Sequence, residues 1–121
     1  MDFGQRRNLV GMGEISYDDF AKLDVRIGVV TAAEMVPGAD KLIKCTVDFG
    51  PEIGNRTIVS GIALWKRPEE LVGKQLPYLV NLAPRMLRGV ESEGMLLAVG
   101  VENGVALLVP EREVPAGTKL R

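Results

Sequence analysis

A chain of 121 residues carrying 15 Lys/Arg, 16 Asp/Glu and a formal net charge of −1 suits a single domain with one modest core and is no indiscriminate polycation. It contains no histidine, which removes Ser-His and Cys-His catalytic pairs, the imidazole ligands of zinc and the commonest general base. No run of about 18 apolar residues occurs, so neither a transmembrane helix nor a membrane partner is expected, and the single cysteine excludes an internal disulfide framework and fits a reducing cytoplasm.

Residues 1–13 lack the apolar region of a secretory signal and precede the first patterned segment. They read as a flexible N-terminal extension, native or vector-derived, ahead of one domain over 14–121. Ser16-Tyr17-Asp18-Asp19 is a capping-box variant flanked by Ile15 and Phe20 at staple positions, which predicts a short helix over 17–22 that buries Tyr17 and Phe20. Val25, Ile27 and Val29 alternate in a strand over 24–34, and Val36-Pro37-Gly38-Ala39-Asp40 is turn chemistry. Residues 41–49 alternate as a half-buried strand in which Cys45 is a small core side chain. A hairpin-type connection over 50–55 leads to a strand over 56–60. Trp65 suits plugging a barrel end better than stacking on a base. Pro68-Glu69-Glu70-Leu71, with Pro at a first helical position, acids in the first turn and Gly73 beyond, predicts a helix of one to two turns. Strands follow over 75–82 and 95–101, and 105–109 pairs with the latter across Glu102-Asn103-Gly104, an Asn-Gly hairpin signal. The tail, 110–121, reads as a turn-rich cover over a barrel end. Six short strands, two short helices and no βαβ rhythm indicate an all-β, closed or nearly closed small barrel.

Between the strands expected over 75–82 and 95–101 lies the most informative stretch, 81–95. It sets Asn81, Arg85, Arg88 and Ser92 on a Pro/Gly-punctuated loop. Arg presents a planar fork of donors to phosphate, while Ser and Asn bond sugar and phosphate edges. The charge distribution agrees: residues 1–55 carry six Lys/Arg against nine Asp/Glu, 56–94 carry six against four, and 95–121 carry three against three. The middle third is therefore the electropositive part. Six aromatic residues are too few for a row of base-stacking platforms, so contacts to the backbone and shape of a folded RNA are favoured over single-strand binding. Catalysis has no support. Val90 stands where a Gly-x-Ser-x-Gly elbow around Ser92 needs glycine, and no phosphate-loop, dinucleotide or metal-ligand motif occurs, so no catalytic residue, cofactor or metal is expected. Asp24 and Arg26 read as a structural pair holding the first strand.

With these elements in place the chain resembles the tRNA-binding OB-fold domain found at the C-terminus of methionyl-tRNA synthetases, in an archaeal synthetase beta subunit and in stand-alone tRNA-binding proteins. The resemblance covers about 15–120 and rests on Leu23-Asp24-Val25-Arg26-Ile27-Gly28, Ala39-Asp40-Lys41-Leu42, Ile58-Val59-Ser60-Gly61-Ile62-Ala63, Pro68-Glu69-Glu70-Leu71-Val72-Gly73-Lys74 and the 81–95 stretch through Met95-Leu96. It implies an OB-fold five-stranded Greek-key barrel with extra C-terminal strands and turns. It also implies a homodimer that recognises tRNA by shape at the outer corner of its L and assists a methionyl-tRNA synthetase as an accessory or beta subunit. Carried over by position, Lys41, Arg56, Asn81, Arg85 and Arg88 would contact the tRNA backbone, and Ser92 and Met95 would shape the floor beside it. Met86 departs from the pattern, which usually has a basic residue there. A related barrel, the protein-export chaperone CsaA, shares the character of Asp48-Phe49-Gly50-Pro51-Glu52-Ile53-Gly54 and Pro115-Ala116-Gly117-Thr118-Lys119 but lacks the Val-Ser-Gly-Ile-Ala and Glu-Gly-Met segments. Binding of unfolded polypeptides is the alternative function.

Overall fold

The computed structural model describes residues 13–121, so the extension expected at 1–13 lies outside the described residues except for Gly13. The fold begins with α1 (Tyr17–Ala21), closed by a reciprocal box: Ser16 Oγ accepts from the Asp19 N–H at 3.2 Å and Asp19 Oδ2 accepts from the Ser16 N–H at 3.4 Å. The helix buries none of its residues. Tyr17 and Phe20, expected inside, are 78% and 42% exposed, because five residues give one turn and no second element covers it.

The long strand β1 (Val25–Val36) organises the barrel. Its first half pairs antiparallel with β4 (Gln75–Leu79), and its second half pairs with β2 (Ala39–Asp48). A register shift between Val30 and Ala32 gives the bend that lets one strand serve both neighbours. β2 continues antiparallel to β3 (Asn55–Ser60), and β4 to β7 (Met95–Leu96), giving the order β3-β2-β1-β4-β7. The ring closes where the Glu93 N–H donates to Thr57 O at 2.8 Å and the Val59 N–H donates to Ser92 Oγ at 3.0 Å. This is the five-stranded Greek-key barrel of the OB-fold, all-β with short helices.

The expected alternation along β2 is observed: Ile43, Cys45, Val47 and Phe49 are buried, and the residues between them are half-buried. Phe49 meets Tyr78 edge to face, centroids 5.5 Å apart at 86°. Burial pushes the Cys45 thiol up to about 11, so it stays protonated and unreactive at neutral pH.

Several boundaries differ from expectation. The 50–55 connection contains a helical turn, α2 (Gly50–Ile53). The second expected helix forms as a single turn, α3 (Pro68–Leu71), within the one to two turns expected. The strand expected over 75–82 ends at Leu79, one residue beyond which the Val80 N–H still bonds the Asp24 carbonyl at 2.9 Å in the register of the β1–β4 ladder. The strand expected over 95–101 is broken at Leu97, whose N–H goes to Pro77 O at 3.0 Å; beyond it β8 (Ala98–Val101) pairs with β9 (Gly104–Leu107) in the expected hairpin. Trp65 is 45% exposed and plugs nothing.

The tail does more than cover an end. Gly117 N–H to Ile27 O at 2.7 Å, Ile27 N–H to Thr118 O at 2.9 Å and Leu120 N–H to Val25 O at 2.8 Å run it along the edge of β1 that β2 leaves unpaired. Gly117 has φ +90, and a Cβ there would lie 2.1 Å from the Phe49 carbonyl oxygen, so only glycine permits this approach. The Gln75 amide clamps Val114 in both directions, donating to its carbonyl at 2.5 Å and accepting from its N–H at 3.0 Å. Arg26 ties the ends together, with Nε on Asp24 at 2.9 Å, Nη2 on Glu52 at 3.1 Å and Nη1 on the Gly117 carbonyl at 3.3 Å. The Asp24–Arg26 pair is structural, as expected.

Candidate nucleic-acid interface

The 81–95 stretch is not an irregular loop. β5 (Arg85–Leu87) pairs with β6 (Val90–Ser92) through Arg85↔Ser92, Met86↔Glu91 and Leu87↔Val90, leaving Arg88-Gly89 as a two-residue turn. Both turn residues are left-handed, Arg88 at φ 50 and Gly89 at φ 82, the type I′ combination whose twist suits a hairpin. Glycine adopts this freely, but an arginine there costs about 1–2 kcal/mol. Asparagine or glycine would be the unstrained choice.

Strand alternation sorts the side chains. Leu87 and Val90 pack down on Val36, Ala39 and Val59, and Ser92 is buried beside them. Met86 and Glu91 point outward, Met86 64% exposed. Arg85 belongs to the inward row, but at the open end of the hairpin it is exposed and rims a groove of about 420 Å³ walled by Leu42, Val59, Met95 and Val99. Arg88, exposed at the tip, lines a second cleft of about 450 Å³ with Lys41, Asp40 and Met86, between the hairpin and the β1–β2 turn. These are the two connections that flank the ligand face of OB barrels.

The remaining expected residues are placed differently. Arg56 Nη1 donates to the carbonyls of Val80 at 2.5 Å and Glu93 at 3.3 Å. Asn81 Oδ1 accepts from the Asp24 N–H at 2.9 Å and Nδ2 donates to Lys22 O at 2.6 Å. Ser92 Oγ accepts from the Val59 N–H and donates to Gly94 O, both at 3.0 Å. The seven residues therefore divide into Lys41, Arg85, Arg88 and Met95 on open clefts, and Arg56, Asn81 and Ser92 tied to main chain behind them. Among the described residues, the ion pairs join Lys22–Asp19, Arg26–Asp24, Arg26–Glu52, Lys44–Glu34 and Arg67–Glu69. None of them engages Lys41, Arg56, Arg85 or Arg88.

Glu93 was not singled out from sequence. Its Oε1 accepts from the Thr57 N–H at 3.0 Å, docking the returning limb of the hairpin on β3. Nothing in the sequence separates it from the exposed Glu91 two residues earlier. No group of three or more metal-capable side chains occurs among the described residues.

A family model described as "Putative tRNA binding domain" matches residues 25–119, from the first residue of β1 to the tail residue bridged to it. The chain belongs to this tRNA-binding domain family. The methionine–tRNA ligase of Bacteroides fragilis is 50% identical to this tRNA-binding domain over 108 residues, which is 88% of the chain but 16% of the ligase, so the chain spans about a sixth of that relative's length. A crystal structure of a MetRS related protein from Pyrococcus horikoshii superposes with a TM-score of 0.84 at 43% identity, covering 90% of this chain and 99% of that one. The chaperone CsaA of Bacillus anthracis follows at 0.81 and 37% identity, covering 90% and 100%. The tRNA-binding domain is thus a non-catalytic binding module related to both.

Proposed function

We propose that residues 14–121 form a structure-specific tRNA-binding domain that acts as a cytoplasmic homodimer, as an accessory or beta subunit, or a C-terminal-domain-like partner, of a methionyl-tRNA synthetase. One observation carries this reading: Arg88 is kept in a strained left-handed turn, exposed and outside the ion pairs of the described residues, on one cleft with Lys41, while Arg85 of the same hairpin rims the other groove. Backbone strain of this kind is retained where function needs it. Lys41, Arg85 and Arg88 are the proposed phosphate contacts, and Met95 shapes the groove wall. No Phe, Tyr or Trp lines either cleft, which favours backbone and shape recognition over base stacking.

Binding of total tRNA should weaken about 40-fold when salt is raised fourfold, as expected for about three neutralised phosphates. Fluorescence titrations at two salt concentrations measure this, and a flat response excludes the reading. Dimerisation is supported by α1, whose Tyr17 and Phe20, with neighbouring Ile15 and Leu23, leave an uncovered apolar surface. Two linked patches of mild positive charge also bind a polyanion better than one. Sedimentation at micromolar concentration should give twice the single-chain mass of 13.1 kDa; a single-chain mass removes the dimer.

The apolar walls of the 420 Å³ groove favour a second reading, capture of unfolded polypeptide as in the chaperone CsaA. Adding an unfolded client to the same titrations separates the two. Displacement of tRNA by the client indicates a shared surface, and its absence leaves the groove without that role.

A further inference from the structure

We propose that Arg56 is a positioning residue: its guanidinium clamps the neck of the Arg88 hairpin, holding the hairpin against the barrel rather than contacting tRNA. The inference rests on the tRNA-binding reading above. Val80 is the first residue after β4, five positions before the outgoing limb begins at Arg85, and Glu93 is the first after the returning limb; a single nitrogen, Nη1, donates to both carbonyls. Each limb has further ties, the returning one also through Ser92 Oγ on the Val59 N–H. The Val80 N–H goes to Asp24 O, with Asn81 on Lys22 and Asp24 beyond it, and Glu93 exchanges bonds with Thr57 through its N–H and its carboxylate. Arg56 alone among these groups spans both limbs. It reaches them from β3, whose pairing with β2 through Val47↔Arg56 fixes its origin. A charged donor shared by two carbonyls is a strong, directional tie. A two-stranded hairpin is marginal by itself and depends on such support.

The clamp matters because the hairpin aims Arg85 and Arg88. If its neck loosens, both guanidinium groups lose their fixed spacing from Lys41, and tRNA binding weakens although no phosphate contact has been removed. This distinguishes positioning from contact: losing a phosphate contact lowers the salt slope of binding by about one, whereas losing the clamp leaves the slope unchanged.

The test uses the full chain, with Arg56→Gln, Arg56→Lys and Arg88→Ala, reading amide hydrogen exchange across 85–92 and tRNA affinity as a function of salt. Arg56→Gln should exchange the hairpin amides at least about tenfold faster and bind tRNA at least about tenfold more weakly at an unchanged slope, the scale of losing the two hydrogen bonds of a charged donor. Arg56→Lys keeps the charge but not the fork and should also show faster exchange; it carries the comparison if Arg56→Gln fails to fold. Arg88→Ala should leave exchange unchanged and lower the slope by about one. A lowered slope in Arg56→Gln that Arg56→Lys restores, with exchange unchanged, overturns the clamp in favour of direct contact. Faster exchange with unaltered affinity overturns the positioning role. Should the unsubstituted protein bind no tRNA, the proposed function falls, while the exchange comparison still decides whether Arg56 holds the hairpin.

Discussion

Replacing Arg85 and Arg88 together with alanine is expected to weaken tRNA binding on the order of 10²-fold and to lower the salt slope by about two, one unit per phosphate released. Stability should move by no more than about 0.5 kcal/mol, since both side chains are exposed and outside the ion pairs of the described residues. Alanine at position 88 inherits the left-handed backbone and its cost, so the turn is neither relieved nor further strained. Thermal unfolding and tRNA titration of the same preparation check both halves. Affinity within threefold of the unsubstituted protein would remove the hairpin from the interface.

Gly28→Ala is expected to destabilise the barrel by about 3 kcal/mol, lowering Tm by roughly 12–15 °C. Gly28 sits in β1 opposite Leu76, and a Cβ there would lie 2.4 Å from Val47 Cγ1 and 2.6 Å from Phe49 Cε1. Neither neighbour can yield. Val47 is 0% and Phe49 1% exposed, and Phe49 is braced edge-on against Tyr78. The cost is overpacking of a closed interior, not backbone conformation. Gly61→Ala is the matching control: an added methyl there meets nothing within 4 Å, so stability should stay within about 0.5 kcal/mol. Calorimetry on the two variants measures the difference; equal Tm values would mean that the core absorbs a methyl at Gly28.

Much of the fold was legible because it depends on neighbours in sequence. The Ser16–Asp19 box needs only residues three apart, and both of its bonds form. The alternation of β2 depends on one buried face, and Ile43, Cys45, Val47 and Phe49 occupy it. The hairpin read at Glu102-Asn103-Gly104 also forms, but its two turn residues are Glu102 and Asn103, with φ 56 at Asn103, while Gly104 already pairs with Val101. The hairpin inside 81–95 was missed, although the alternation of Arg85, Met86 and Leu87 against Val90, Glu91 and Ser92 was present. Its turn is Arg-Gly rather than Asn-Gly, and an arginine at positive φ gives no local signal. The pairing of the tail with β1 was not readable for another reason: it depends on an edge that is free only because β2 begins its pairing at Val29.

The candidate site follows the same division. Which residues could serve a polyanion was readable from type and grouping: Lys41, Arg85 and Arg88 are exposed cations beside open clefts. Which polar residues are already engaged was not readable. Arg56 looks in sequence like any other strand arginine, yet it bonds carbonyls 24 and 37 positions away. Asn81 reaches back 57 and 59 positions, and Ser92 reaches back 33 to Val59. Periodicity, caps and turn chemistry are short-range consequences of backbone sterics and one-sided burial, so the linear chain determined a small all-β barrel and its basic segment. A hydrogen bond between distant strands exists only once the barrel has closed and brought their carbonyls within reach, so only the tertiary structure could separate the arginines that face solvent from the one that holds them in place.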